Sequence, residues 1–143
     1  FTGSTEVGKQ VMAGCAAQVK PVTLELGGKS ANIVFADADL EAAASSAPGS
    51  VFDNAGQDCC ARSRLLVERS VLDRFLELLE PAVTSFRVGD PRQADVDMGP
   101  LVSKGHFDSV RTFLDGSVPV AFQGSAPDGP GYWMAPTVLL PNR

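Results

Sequence analysis

The sequence predicts an α/β fold built on a mainly parallel sheet. β-Branched and apolar runs alternate along the chain with segments whose apolar residues recur at helical spacing. The first alternation, strand then glycine turn then helix at residues 1–17, is half of a βαβ unit, the connection parallel strands require. With 143 residues, 44% hydrophobic and 20% charged, the chain has the size and apolar content of about one globular domain.

Residues 1–5 (F-T-G-S-T) read as a strand end entering a turn. A helix follows over residues 6–17, with Val7, Val11, Met12 and Cys15 on one stripe. Residues 21–26 and 31–35 are short strands separated by Gly27-Gly28. Asp37 or Asp39 can cap an alanine-rich helix from Leu40 to Asn54, which Pro48-Gly49 should interrupt or kink. A strand buried in a sheet is expected at residues 63–68, then an amphipathic helix over 71–86. Leu72, Phe75, Leu76, Leu79 and Val83 line that helix, and Pro81 should disturb it. A polar loop at 89–100, a helix at 104–114, a strand at 118–122, a glycine-rich loop at 124–131 and a final strand at 133–140 complete the pattern. There is no internal repeat and no low-complexity tract.

The bulk properties exclude several classes. A formal charge of -5, with cations scattered rather than clustered, removes the electrostatic basis for binding nucleic acid. No run of eighteen apolar residues could span a bilayer, and the first residues lack a signal-peptide pattern, so no membrane partner and a cytoplasmic location are expected. Cys15, Cys59 and Cys60 make an odd count with two neighbours in sequence, which suits reduced thiols better than a disulfide framework. Without a Cys-x-x-Cys pair, and with His106 the single histidine, no metal is expected. The chain opens at Phe1 inside an apparent strand and stops at Arg143 just after another, as a piece of a longer protein would.

The thiols at Cys59 and Cys60 follow a glycine-containing turn, where small residues allow another molecule close to the backbone. A thiol placed there can act as an exposed nucleophile if a local field or a base activates it. The competing reading is burial, because cysteine is among the most buried residue types. Glu25 is equally a candidate base or a solvated carboxylate at a strand end. Gly3-Ser4-Thr5-Glu6-Val7-Gly8 brings a glycine and a hydroxyl to a helix N-terminus, which attracts phosphate but also describes an ordinary N-capped helix. Lys29 and Arg62 read as surface cations or outer supports of a site, and Tyr132 and Trp133 as packing. A Cys/His pair with His106 is an outside option.

Several segments together resemble the aldehyde dehydrogenase superfamily over nearly the whole chain. F-T-G-S-T-E-V-G at 1–8 is similar to the family's dinucleotide-contacting strand and turn, E-L-G-G-K-S at 25–30 to its glutamate signature, and G-Q-D-C-C-A-R-S-R at 56–64 to its cysteine signature. G-Y-W-M-A-P-T-V at 131–138 fits a later family segment. Glu25 and Cys59 stand 34 apart (59 minus 25), the spacing the family uses between base and nucleophile.

The resemblance implies that residues 1–27 close a Rossmann-like cofactor domain and residues 28–143 open an α/β catalytic domain. It implies Cys59 as nucleophile, Glu25 as the base that activates water, and NAD or NADP as cofactor. Gly3, Ser4 and Val7 would meet the dinucleotide, while the Leu26 carbonyl and Gly27, with Gly28, would border the nicotinamide. Oxyanion stabilisation would come from the Cys59 N–H and an asparagine upstream of this chain. The substrate would be a small aldehyde oxidised to a carboxylate, and the full-length protein a homodimer or homotetramer. A coenzyme A acylating relative, an inactive fragment and a thiol hydrolase are the alternatives. Residues 1–143 alone are expected to show no turnover.

Overall fold

The structure, a computed structural model, describes residues 1–141, so Asn142 and Arg143 at the chain end lie outside it. Strand β1 (Thr2–Gly3) runs through Ser4 into α1 (Thr5–Ala16), then β2 (Glu25–Leu26) and β3 (Ala31–Val34) follow. Helix α2 (Leu40–Phe52) leads through a short 3-10 turn, Asp53–Gly56, to β4 (Arg64–Val67). Helix α3 (Leu72–Thr84), helix α4 (Lys104–Arg111), β5 (Val120–Gln123) and β6 (Thr137–Leu139) complete the order.

The strands form three separate pairs. β1 with β2 and β3 with β4 are parallel, while β5 with β6 is antiparallel. The expected α/β alternation and the parallel preference both hold. Helix α2 is the crossover between β3 and β4, which pair in register from Ala31 with Arg64 to Val34 with Val67.

The core lies where α2 and α3 pack together beside β3. Val34, Ala44, Ala47, Phe75, Leu79 and Val83 form one buried cluster, against which Leu65, Phe122 and Val138 also pack. Phe75, Leu79 and Val83 come from the stripe that the sequence places on α3, with Leu72 and Leu76 half-buried beside them. The pair β3–β4 is locked at its far end by Glu68, whose carboxylate accepts the Ala36 N–H at 2.9 Å and the Ser70 hydroxyl at 2.7 Å.

Several expectations need correction. Proline does not interrupt α2: the helix is continuous through Pro48, which is buried with Ala44 and Ala47. The missing Pro48 N–H costs one ladder bond, and the packed ring face offsets it. Pro81 likewise lies within α3 without ending it, while a 3-10 turn at Arg69–Val71 takes Val71, the first residue assigned to that helix, which ends at Thr84. Helix α2 stops at Phe52 rather than Asn54, because Asn54 and Ala55 adopt left-handed backbone angles.

The strand expected at 21–26 pairs only over Glu25–Leu26, and the one at 133–140 only over Thr137–Leu139. In the second case Pro136 has no N–H to donate, and its carbonyl makes the last connection, to the Gly124 N–H at 2.8 Å. Helix α4 gives way to a 3-10 turn after Arg111. The stripe on α1 is little covered, with Val7 42% and Met12 50% exposed. Its one buried residue is Gly8, where a Cβ would stand 2.7 Å from Leu26 Cδ2. That close approach seats the helix directly on β2.

Candidate active site

The pairing of β3 with β4 determines which residues meet. Because the strands run parallel, the segments entering them approach from the same end: the turn at 27–30 enters β3, and the segment at 57–63 enters β4. Arg64 Nε donates to the Lys29 carbonyl at 2.7 Å, and the Arg64 N–H to the Ser30 carbonyl at 3.2 Å. A Cβ on Gly28 would stand 3.1 Å from the Cys59 carbonyl oxygen. The two predicted signatures are therefore packed against each other, backbone to backbone.

The thiols sit on an exposed bend. After α2, Asn54 (φ 49°), Ala55 (φ 55°) and Gly56 (φ 72°) turn the chain through three successive left-handed residues. Asparagine and glycine tolerate this region, whereas for Ala55 it costs about 1–2 kcal/mol. The Asn54 side chain donates to the Gln57 carbonyl at 3.1 Å, and Gln57 Nε2 donates back to the Asn54 carbonyl at 3.0 Å. Beyond the bend, Ala61 is buried and the Arg62 N–H donates to the Ser50 carbonyl at 3.0 Å.

Between those anchors Cys59 and Cys60 are both exposed, so burial is not what places them. Their sulfurs are 3.7 Å apart, and the Asp58 carboxylate accepts the Cys60 N–H at 3.1 Å and the Cys60 thiol at 3.4 Å. The two thiols differ electrostatically. Cys60 is pushed up to about 11, first by its hydrogen bond with the Cys59 side chain and then by the Asp58 carboxylate, whose hydrogen bond and charge both favour the protonated thiol. Asp58 is held below its ordinary 3.8, chiefly by the Cys60 N–H. Asp58, Cys59 and Cys60 place one ligand atom each within 4.8 Å of one another, an exposed trio whose hydrogen bonds run among its own members.

Glu25 lies on β2, paired with Thr2, and its N–H donates to the Phe1 carbonyl at 2.8 Å. Its side chain is exposed, so the described residues do not supply the partial desolvation that suits a general base. At the other candidate position, Ser4 is the N-cap of α1, with Oγ accepting the Val7 N–H at 3.3 Å. Gly3, Ser4 and Val7 are all exposed around that helix end. Leu26 turns its side chain onto Gly8, and the space where a Gly27 Cβ would stand is open.

The remaining candidates separate clearly. Lys29 Nζ reaches only the carbonyl of Gly28, at 3.0 Å, and Arg62 is exposed. His106 lies exposed on α4, its N–H held by Ser103 Oγ at 3.2 Å, and no described hydrogen bond links it to Cys59. The Trp133 indole donates to the Pro130 carbonyl at 3.0 Å, and the Tyr132 ring, 39% exposed, lies tilted against Phe107 with centroids 6.2 Å apart. Sequence reading missed Arg64 and Gln57, which tie the two signatures and the thiol bend in place. Arg64 carried no signal beyond its place at the head of a strand and at the end of the 56–64 segment that resembles the cysteine signature. Gln57 carried one, an amide directly after Asn-Ala-Gly, where a turn needs a side chain to close it.

The sequence profile described as the Aldehyde dehydrogenase family matches residues 1–142. An aldehyde dehydrogenase of Aspergillus niger is 43% identical over 97% of this chain and 29% of its own length. The NADP-dependent succinate-semialdehyde dehydrogenase of Escherichia coli K12 is 42% identical over 98% of the chain and 30% of its own. Among solved structures, betaine aldehyde dehydrogenase of Staphylococcus aureus, in complex with NAD+, superposes with a TM-score of 0.86 at 37% identity over 97% of this chain and 29% of that one. The gamma-glutamyl-gamma-aminobutyraldehyde dehydrogenase of Burkholderia cenocepacia gives 0.88 at 39% identity, again over 97% of this chain and 30% of that one. The chain thus spans under a third of the length of these relatives.

Proposed function

The chain belongs to the aldehyde dehydrogenase family, and from that premise we propose that it carries the nucleophile, the base and part of the cofactor site of an enzyme that oxidises a small aldehyde to a carboxylate. The observation that carries the reading is the approach of the Glu25–Ser30 turn to the Cys59 backbone, with the Cys59 thiol exposed at the contact. In this reading residues 1–27 belong to the cofactor unit and residues 28–143 to the catalytic unit. Completion of the β1–β2 pair before Gly27 and the start of a new pair at Ala31 support that division.

The Cys59 thiolate attacks the aldehyde carbon, forming a C–S bond as the carbonyl π electrons move to oxygen, and the Cys59 N–H is the donor this chain would offer to that negative oxygen. A bound NAD or NADP would supply the acceptor for the hydride that leaves this carbon, so that Cys59 is left holding the acyl group as a thioester. Glu25 takes a proton from water as that water attacks the thioester, so the carboxylate product departs and the Cys59 thiolate returns. The neighbouring Cys60 is held protonated, its thiol pushed up to about 11 by the Cys59 side chain and the Asp58 carboxylate.

The residues at the head of α1 fit a dinucleotide in donor chemistry. Gly3 has no Cβ to block an approach, the helix N-terminus favours negative phosphate, and Val7 offers an exposed apolar surface to a flat ring. Ser4 serves as the N-cap in either case. Small aldehydes are the substrate class, and a homodimer or homotetramer is the assembly we assign to the full-length protein.

In the intact protein, Cys59→Ser is expected to abolish aldehyde-dependent NAD(P)H formation. Glu25→Gln is expected to retain one rapid equivalent of NAD(P)H per site and to lose steady turnover, because the thioester forms but is not hydrolysed. Strict dependence on coenzyme A would replace the hydrolytic reading with an acylating one, and full activity in Cys59→Ser would overturn both.

A further inference from the structure

The bend that presents Cys59 is exposed, includes a non-glycine residue in the left-handed region, and leads directly into a strand. Left to itself, such a segment samples many directions for the thiol. One side chain restrains it from both sides. Gln57 Nε2 donates to the Asn54 carbonyl at 3.0 Å, closing the left-handed turn, and Gln57 Oε1 accepts the Val102 N–H at 2.9 Å.

Val102 is 45 residues further along the chain and belongs to a segment that is itself anchored. Its neighbour Leu101 is buried, and the Leu101 N–H donates to the Tyr132 carbonyl at 2.9 Å. Both ends of the Gln57 amide are therefore used, one on the turn and one on a fixed wall. A primary amide is the group that can do this, since it carries a donor and an acceptor on one planar head.

We propose that Gln57 is a positioning residue for the Cys59 nucleophile, clamping the Asn54–Ala55–Gly56 turn to the main chain at Val102 so that the thiol projects in one direction. Gln57 touches neither substrate nor cofactor in this role; it acts through the backbone of residues 57–59. The proposal rests on the assignment of Cys59 as nucleophile. Its consequence for chemistry follows from the sensitivity of bond formation to placement, where an error of about 1 Å in a reacting group can cost about a hundredfold in rate.

The test compares Gln57→Met, which keeps the length and loses both amide bonds, with Gln57→Glu, which keeps an acceptor for the Val102 N–H and loses the donor to Asn54. Three quantities are read in the intact protein: hydrogen exchange of the Val102 amide, the rate of Cys59 alkylation by iodoacetamide as a function of pH, and single-turnover NAD(P)H formation from an aldehyde. In Gln57→Met the Val102 amide is expected to exchange at least tenfold faster. Single-turnover formation should fall by about ten- to a hundredfold, with the KM for the cofactor within twofold of the unsubstituted protein and the midpoint of Cys59 alkylation unmoved. Gln57→Glu should restore Val102 protection and most of the single-turnover rate.

Faster Val102 exchange with single turnover unchanged would overturn the proposal, as would unchanged Val102 protection in Gln57→Met. If Gln57→Met fails to fold, Gln57→Glu alone decides: loss of single turnover with Val102 protection intact would overturn the wall contact as the positioning element. Cys59→Ser run in parallel separates the two assignments, since activity surviving that substitution removes the nucleophile assignment itself whatever the Gln57 variants do.

Discussion

Replacing Cys59 by alanine is expected to make Cys60 react faster with iodoacetamide, by up to about 100-fold near pH 8. The magnitude follows from the bend geometry. Cys60 is pushed from an ordinary 9.0 to about 11, and the first cause is the Cys59 side chain 3.7 Å away. A thiol at about 11 is roughly 0.1% thiolate at pH 8, whereas one at its ordinary value is roughly 10% thiolate, and only the thiolate is alkylated. Asp58 still accepts the Cys60 thiol at 3.4 Å in the variant, so recovery should be partial and the full factor is an upper limit. Adding Asp58→Asn should bring the rest.

The assay is labelling with iodoacetamide for fixed times from pH 7 to 10, followed by mass spectrometry of the peptide that contains the position. Cys15, on α1 and remote in sequence, gives an internal reference. A Cys60 midpoint near its ordinary value in the unsubstituted protein, or no change on removing Cys59, would refute the reasoning, because the two thiols would then not share a charge.

Phe75→Ala should destabilise the chain by about 3–5 kcal/mol, since Phe75 is 0% exposed at the centre of a small core; urea unfolding measures it, and a loss below about 1 kcal/mol would place the core elsewhere. Glu68 is held below its ordinary 4.5, first by the Ser70 hydroxyl and then by the Ala36 N–H. Its carboxylate therefore takes up a proton more readily in the unfolded chain, so its contribution to stability is complete above 4.5 and is lost as pH falls through the depressed folded value. Urea midpoints for Glu68→Gln and the unsubstituted protein should converge as pH falls from about 6 to 3, and a constant difference across that range would count against the lock at the end of β3–β4.

The fold was legible where side-chain period and burial agree. The stripe on α3 buried as its spacing predicts, and the apolar runs at 31–35 and 63–68 became the longer parallel pair among the described residues. Strand β4, expected to be buried, leaves Leu66 48% exposed because one face of the pair is uncovered. Proline was misread because its local cost was weighed without tertiary packing: Pro48 is buried with Ala44 and Ala47, and α2 runs through it without a break. The site was legible in its residue types but not in its fastenings. Cys59 and Glu25 stand out as candidates by motif rather than by their own chemistry, whereas the hydrogen bonds from Arg64 to Lys29 and from Val102 to Gln57 join positions 35 and 45 apart, which no local pattern encodes.

The 34-residue interval between Glu25 and Cys59 has a structural origin. Partners in the β3–β4 pair are offset by 33 residues, from Ala31 to Arg64, along one strand, one crossover helix and one bend. Glu25 lies six residues before its strand's first paired position and Cys59 five before its own. In a parallel pair, the segments upstream of matched positions are carried to the same end, which is how the 27–30 turn and the 57–63 segment come to meet at Gly28 and Cys59. An inserted residue in the helix could be absorbed as a bulge, but one inserted in the bend would rotate Cys59 away from the Gly28 contact and break the Gln57 clamp. The interval is thus a measure of the crossover, and its value as a signature comes from the register it has to satisfy.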